Sequence, residues 1–405
     1  MNEAKRFDYV YSTIGDLEVE TTEDQKTGRK IVQNILVNDE PIKPSDRFWN
    51  SLYARYGFNK AFFKYFDHDE VFNRISERES NDRMRMCIER DVDHDGDDGA
   101  SLLAVSNPTK PVVIYDDLMD TLERYNGEKV NYHDGIVEST HVPRAGGNTF
   151  DISGDAFSNR FVMNTPVDGY GQPNIYLSLL RQICENGMIG MAKAFRSTLA
   201  LGSGSDDVKY SIIRALDGFG NDEGFAALRQ RFESSVDSWA SVAESNSLYQ
   251  CMVKQHGRKN IGWDGAALTG DSGIRDLLEM GETPRPMGED EAIGSPIIKA
   301  FHNMTGDTSR LYGLANLDAL SIKRQRTLPV KCRVYDLLNF VSEVATHHTR
   351  NEEGSRQCQA WLGNLISAEY DMEGTADKFG EFDDFFVEKT VLDGTAAMDL
   401  QAAGK

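Results

Sequence analysis

The chain has 405 residues, 40% of them hydrophobic and 10% aromatic, which is enough to bury a sizeable core and predicts two to three domains by length. A charged fraction of 27% and a mean hydropathy of -0.49 describe a water-facing protein, and no apolar run approaches the roughly 20 residues that span a bilayer. The formal charge of -21 argues against a general nucleic-acid role, because such binding rests largely on neutralising phosphates with Lys and Arg.

The first region, about 1 to 150, reads as mixed and strand-containing. Lys30–Val37 predicts a strand. Ser45 is placed to N-cap a short aromatic helix through Phe48, Trp49, Leu52 and Tyr53 that stops near Gly57. Arg83–Arg90 alternates with period two, and Ala100–Val105 is its natural hairpin partner. The Gly-, Asn- and Ser-rich segment Ala145–Gly154 marks a boundary.

The second region, about 155 to 350, is the expected α+β core. Asn159–Thr165 alternates as a half-buried strand. After a turn through Asp168–Pro173, Tyr176, Leu179, Leu180 and Ile183 fall on one helical face, with Asn186 and Gly187 as the helix stop. Ala194–Leu201 alternates again as a strand. Phe225, Leu228, Phe232, Val236, Trp239 and Ala243 follow steps of three and four, the clearest helical stripe in the chain. A further helix runs from Val334 to His348, burying Val334, Leu337, Leu338, Val341 and Ala345. The third region, 351 to 405, holds a helix over Gln357–Glu369 and then an acidic, aromatic tail.

Cysteine usage points to a reducing cytoplasm. The chain's five cysteines are scattered, none forms a Cys-x-x-Cys pair, and the N-terminus lacks a secretory h-region.

Several short patterns invite chemistry and fall short of it. Asp91–Gly96 has the opening of a calcium loop, but the twelfth position, where a bidentate Glu belongs, is Leu102. It reads as an acidic hairpin loop. Glu343 and His347 lie one turn apart and could supply two metal ligands, but the sequence ties no third to them. Cys184 has no partner histidine and reads as a core thiol. Gly202–Asp206 lacks the ending of a phosphate loop, so Ser205 or Asp206 reads as an ordinary N-cap.

Charge is unevenly spread, and that is the stronger signal. Asp371–Asp393 carries eight acids against Lys378 and Lys389. Cys251–Asn260 carries Lys254, Arg258 and Lys259 with no acid, and Ser321–Arg333 carries Lys323, Arg324, Arg326, Lys331 and Arg333 with none. With Arg181, Lys193 and Arg196 around the predicted helix–strand unit, and Trp263 nearby, these suit a groove where phosphates meet cations and bases stack. The tail over 371–393 alternates Phe379, Phe382, Phe385 and Phe386 with acids. It suits either a docking site for a protein partner or an intramolecular cover.

Arg181–Met188, the strand after it, and Arg333–Glu343 together resemble the phage/plasmid-like family described as a domain of unknown function (number 932). Its members carry a Cys-x-Asn-Gly or Cys-x-Asn-Thr element, then a strand, then an Asn-x-x-Thr/Ser-Glu element on a helix. The matching positions here are Cys184, Asn186 and Gly187, then Asn339, Ser342 and Glu343. The likeness runs loosely over 100–340, and the chain departs from it in its acidic stretches around Asp91–Asp98 and at the C-terminus. The resemblance implies a role in DNA metabolism on a mobile element within a bacterial host cell, single-strand annealing among such roles.

The combined expectation is an α+β protein: an antiparallel strand-containing core with packed helices, an extra N-terminal α/β region and an acidic tail. Its expected function is non-enzymatic binding or annealing of single-stranded DNA as a homo-oligomer, without cofactor, metal or membrane. The alternatives are a phage structural or assembly protein, and a metal-dependent enzyme using Glu343 and His347.

Overall fold

Six strands make the first sheet: β1 (Lys5–Thr13), β2 (Glu18–Glu23), β3 (Lys30–Val37), β4 (Glu40–Pro44), β5 (Arg83–Asp91) and β6 (Ala100–Ser106). The computed structural model describes residues 5–26, 28–91, 99–143, 149–181, 187–189, 196–201, 205–218, 222–241, 244–245, 247–248, 251, 331–347, 352–366, 370–372, 382–387 and 389–395. The strand order is β1-β5-β6-β4-β3-β2, antiparallel throughout except for the parallel pair β4–β6. The β5–β6 hairpin expected from alternation is present, with Met86 opposite Val105.

Helices α1 (Asp46–Tyr56) and α2 (His68–Glu79) cover one face of this sheet. Ser45 accepts from the Phe48 N–H at 3.1 Å, and Gly57 closes α1 at φ 70°, a left-handed value glycine adopts without strain. Phe48, Leu52 and Phe72 pack on Ile35, Ile42, Met84, Met86 and Leu102. The opposite face is also covered, since Cys87, Leu103 and Ala104 meet Tyr170 of the next unit.

The second sheet contains β7 (Glu128–His133), β8 (Ile136–His141), β9 (Thr149–Ile152), β10 (Asp155–Pro166), β11 (Asn174–Arg181), β12 (Gly187–Ile189) and β13 (Arg196–Thr198). Its order is β12-β11-β10-β8-β7, with β9 on β10 and β13 on β11. Positive φ at both turn residues, Asp134 and Gly135 in one hairpin and Ser153 and Gly154 in another, matches the turn geometry that strand twist favours.

Of the helix expected from Tyr176 to its stop at Asn186 and Gly187, Tyr176–Arg181 is instead in strand β11 and Gly187 in β12, the central correction; 182–186 lie outside the described residues. One face of the sheet carries Phe161, Met163 and Ile175 against α3 (Tyr115–Arg124) and α4 (Ser205–Gly218). The same face carries Phe157, Leu177 and Leu179 against α5 (Asp222–Asp237) and α6 (Val334–His347). The other face puts Val162 and Tyr176 against Ala360 of α7 (Glu352–Asn364) and Leu392 of the short α8 (Lys389–Leu392). A strand buried on both faces loses its alternation, and its apolar run then mimics a helical stripe.

Two further boundaries shift. Helix α5 ends at Asp237, because Trp239–Ser241 (β14) pairs with Lys331–Arg333 (β15). The tail, read as either a docking site or an intramolecular cover, is partly inside the core. Phe382 and Phe385 are buried with the α5–α7 cluster, and Phe386 stacks on Trp361 at 4.5 Å. The Trp361 indole donates to the Phe382 carbonyl at 3.0 Å, and the Asn364 amide to that of Phe385 at 2.9 Å. These rings pack within the chain; Phe379 lies outside the described residues. Among the described residues, no helix is long and apolar enough to cross a membrane.

Candidate functional site

Most of the predicted basic groove lies outside the described residues: Lys193, Lys254, Arg258, Lys259, Trp263, Lys323, Arg324 and Arg326. The backbone of Lys331 is in β15 opposite Ser241; its side chain is outside them too.

Of the remaining three, Arg333 and Arg181 both act on the carboxyl of Asp336. Arg333 is exposed, and its guanidinium carbon sits 5.8 Å from the centroid of the Trp239 ring, itself 38% exposed, across the β14–β15 ladder. Arg181 ends β11 and donates to Asp155 at 2.8 Å. Burial raises the pKa of Asp336, and the charges of Arg333 and Arg181 both oppose that rise, so the two arginines share one field. Arg196 does not join them. It pairs with Tyr176, five residues back along β11 from Arg181, or roughly 16 Å at strand rise.

Arg181 is also no longer a spare cation. Burial would raise the Asp155 pKa, but hydrogen bonds from Tyr335 and Arg181 overcome it and hold the carboxyl below its ordinary range. The Tyr335 hydroxyl donates to Asp155 at 2.5 Å. Asn339, one turn further along α6, hydrogen-bonds to Tyr335. Arg181, expected among the phosphate ligands, therefore has an intramolecular carboxylate partner that a phosphate would have to share or displace.

Of the family-like positions, Cys184 and Asn186 lie outside the described residues, Gly187 is in β12 opposite Leu180, and Ser342 is buried on α6. The side chains of Glu343 and His347 lie outside the described residues, as do 92–98 of the acidic loop. Asp91, at its edge, is paired with Lys5. Among the described residues, no three His, Cys, Asp or Glu side chains converge to hold a metal. Cys87, Cys251 and Cys358 are buried thiols.

Two constellations escaped the sequence reading. The first is a sealed ionic network. Arg47 of α1 bonds Asp168 in the turn after β10, and lies 3.5 Å from Asp393 near the C-terminus. Asp393 accepts from Arg356 of α7 at 3.0 Å, and the Arg356 Nε is 3.7 Å from Glu138 of β8. Arg47 is 3% exposed and Asp168 is fully buried. Burial works against the Arg47 charge, but Asp168 outweighs it and raises the pKa. No sequence signal pairs residues this far apart. Two guanidiniums face three carboxylates in this largely buried cluster, which ties α1, the turn after β10, α7 and the tail to one another.

The second is a surface patch on Phe58–Phe66, between α1 and α2. Phe62 is 46%, Tyr65 79% and Phe66 48% exposed, beside the exposed Lys60 and Lys64. Its signal was in the sequence: five aromatics and two lysines in nine residues without an acid.

No family model matches this chain, and no curated protein or solved structure matches it. The likeness to the phage- and plasmid-borne family therefore rests on the short motifs alone.

Proposed function

We propose that this chain binds or anneals single-stranded DNA without covalent chemistry, and that the strand is met at the β14–β15 ladder. The observation that carries the reading is the exposed Arg333 lying over the half-exposed Trp239. A ring face and a cation at one place are what a base and its phosphate need, and every base offers a face to stack. Arg333 also closes the acid-free run Ser321–Arg333, so it is the described end of the chain's most basic stretch. The short-motif likeness adds the setting, a mobile element in a bacterial host.

A labelled oligonucleotide titrated by fluorescence anisotropy at rising salt tests this. Wild type is expected to bind at low salt, with log affinity falling linearly against log salt. Trp239→Ala and Arg333→Glu are each expected to weaken binding about tenfold. No binding by wild type at low salt would end the reading.

A second reading, a structural or assembly protein of a phage particle, is favoured by acidic surface such as that of α3. Asp116, Asp117, Asp120 and Glu123 are all exposed there. Co-sedimentation with capsids in the absence of oligonucleotide binding would select it.

A further inference from the structure

We propose that the Phe58–Phe66 segment is a second stacking platform for the same single strand, with bases on Phe62, Tyr65 and Phe66 and phosphates on Lys60 and Lys64. This rests on the single-strand reading above but uses a different surface.

The segment is built to hold its rings outward. The Asn59 side chain accepts from the Ala61 N–H at 2.8 Å and starts a 3-10 turn over Lys60–Lys64. The Phe62 carbonyl then accepts from both Tyr65 at 3.0 Å and Phe66 at 3.1 Å, closing the turn. Phe63 points the other way. Its ring lies 3.9 Å from that of His68 and 5.8 Å from that of Trp49, while its carbonyl takes a 2.7 Å bond from Arg29. With Phe63 as the anchor, Phe62 and Phe66 stand 6.3 Å apart on the surface, and Tyr65 beside them is the most exposed large hydrophobic side chain among the described residues. A platform fixed by backbone bonds loses little freedom when a base lands on it.

Local charge fits a polyanion even though the whole molecule does not. Lys60 and Lys64 flank the rings, and among the described residues neither is paired with a carboxylate. Of the three acids that follow the segment, Asp69 pairs with Lys30 at 3.3 Å, while Asp67 and Glu70 keep their charge and are turned to the start of α2, where Glu70 accepts from the Asp67 N–H at 3.2 Å and Asp67 caps the helix.

Size separates this occupant from others. A ring covers about 150–250 Å² when fully buried, so these three exposed fractions expose at most about 430 Å². A stable protein partner takes about 800 Å² per side. Two or three stacked bases need no more than the rings provide.

The test compares wild type, Phe62→Ser/Tyr65→Ser/Phe66→Ser and Lys60→Glu/Lys64→Glu, with thermal midpoints confirming that each is folded. The ring variant is expected to bind an oligonucleotide at least tenfold more weakly. The lysine variant is expected to show a salt slope shallower by about 1.4, the value for two phosphate contacts on a single strand. Photocrosslinking of wild type to a halogenated oligonucleotide, mapped by mass spectrometry, should label Phe62–Phe66. If wild type binds and crosslinks elsewhere, and the ring variant binds equally well, this platform fails while the single-strand reading stands. If Trp239→Ala binds normally and the ring variant does not, the β14–β15 site fails and the platform stands. Sedimentation of wild type with anionic vesicles, without oligonucleotide binding, would overturn both.

Discussion

Arg356 donates to Asp393 at 3.0 Å, and both side chains are sealed from solvent although one lies on α7 and the other near the chain's end. The acidic tail is thereby bound to the second sheet, with the Asn164 amide donating to the Leu392 carbonyl at 3.4 Å and the Tyr176 hydroxyl to that of Val391 at 3.3 Å. Asp393→Ala would leave a buried guanidinium with Glu138 at 3.7 Å as its nearest acid. The expected cost is about 3–5 kcal/mol, the usual penalty for stripping one member from a buried pair. A urea midpoint unchanged by this substitution would show the pair to be dispensable.

Arg47 and Asp168 join α1 to the second sheet in the same way. Arg47→Met should cost about 3–5 kcal/mol because Asp168 is left charged and buried, whereas Arg47→Met with Asp168→Leu should recover most of it. A double variant no more stable than the single one would place the cost in lost packing rather than stranded charge.

Gly169 sits at φ 75°, and a Cβ there would lie 2.6 Å from the Arg85 guanidinium and 3.0 Å from the Ser106 hydroxyl. Gly169→Ala should therefore destabilise by about 1–3 kcal/mol through both backbone strain and overpacking. Thermal unfolding reads this directly, and an unchanged midpoint would mean that Arg85 moves aside freely.

Burial lowers the pKa of His141 to about 4, opposed only partly by a Tyr125 backbone contact. Its ring lies 5.1 Å from Phe161, nearly parallel, and 2.8 Å from the Ser139 hydroxyl. The unfolded chain binds a proton near the ordinary value of 6.5 and the folded chain does not until about 4. Stability is thus full above about pH 6.5 and falls as pH drops toward 4, by on the order of 3 kcal/mol. His141→Gln should flatten that part of the profile in urea titrations run across the window. Parallel slopes for the two proteins would assign the acid sensitivity to other groups.

Legibility of the fold followed the solvent. Where one face of an element meets water, the pattern was readable: Ser45 and Gly57 bracket α1 as expected, and α6 begins at Val334. Where both faces are covered, as at Tyr176–Arg181, the apolar run fitted two periods and the helical choice was wrong. Arg85, within the alternating run Arg83–Arg90, is buried beside Gly169 of the next unit, which the run alone does not reveal. In the candidate site, Arg333 was legible as a cation but its partner Trp239 was not, because Trp239 had been assigned to the end of α5.

Composition and pattern alone determined that the chain is α+β, where its one-sided elements begin and end, and that its charge is strongly but unevenly negative. Tertiary structure decided which charges cancel. Asp155 pairs with Arg181, Asp393 pairs with Arg356 and leans on Arg47, and Phe382, Phe385 and Phe386 of the tail pack within the chain. The reason is that ion pairing and two-sided burial act through space between residues distant along the chain, and local periodicity carries no trace of such distances.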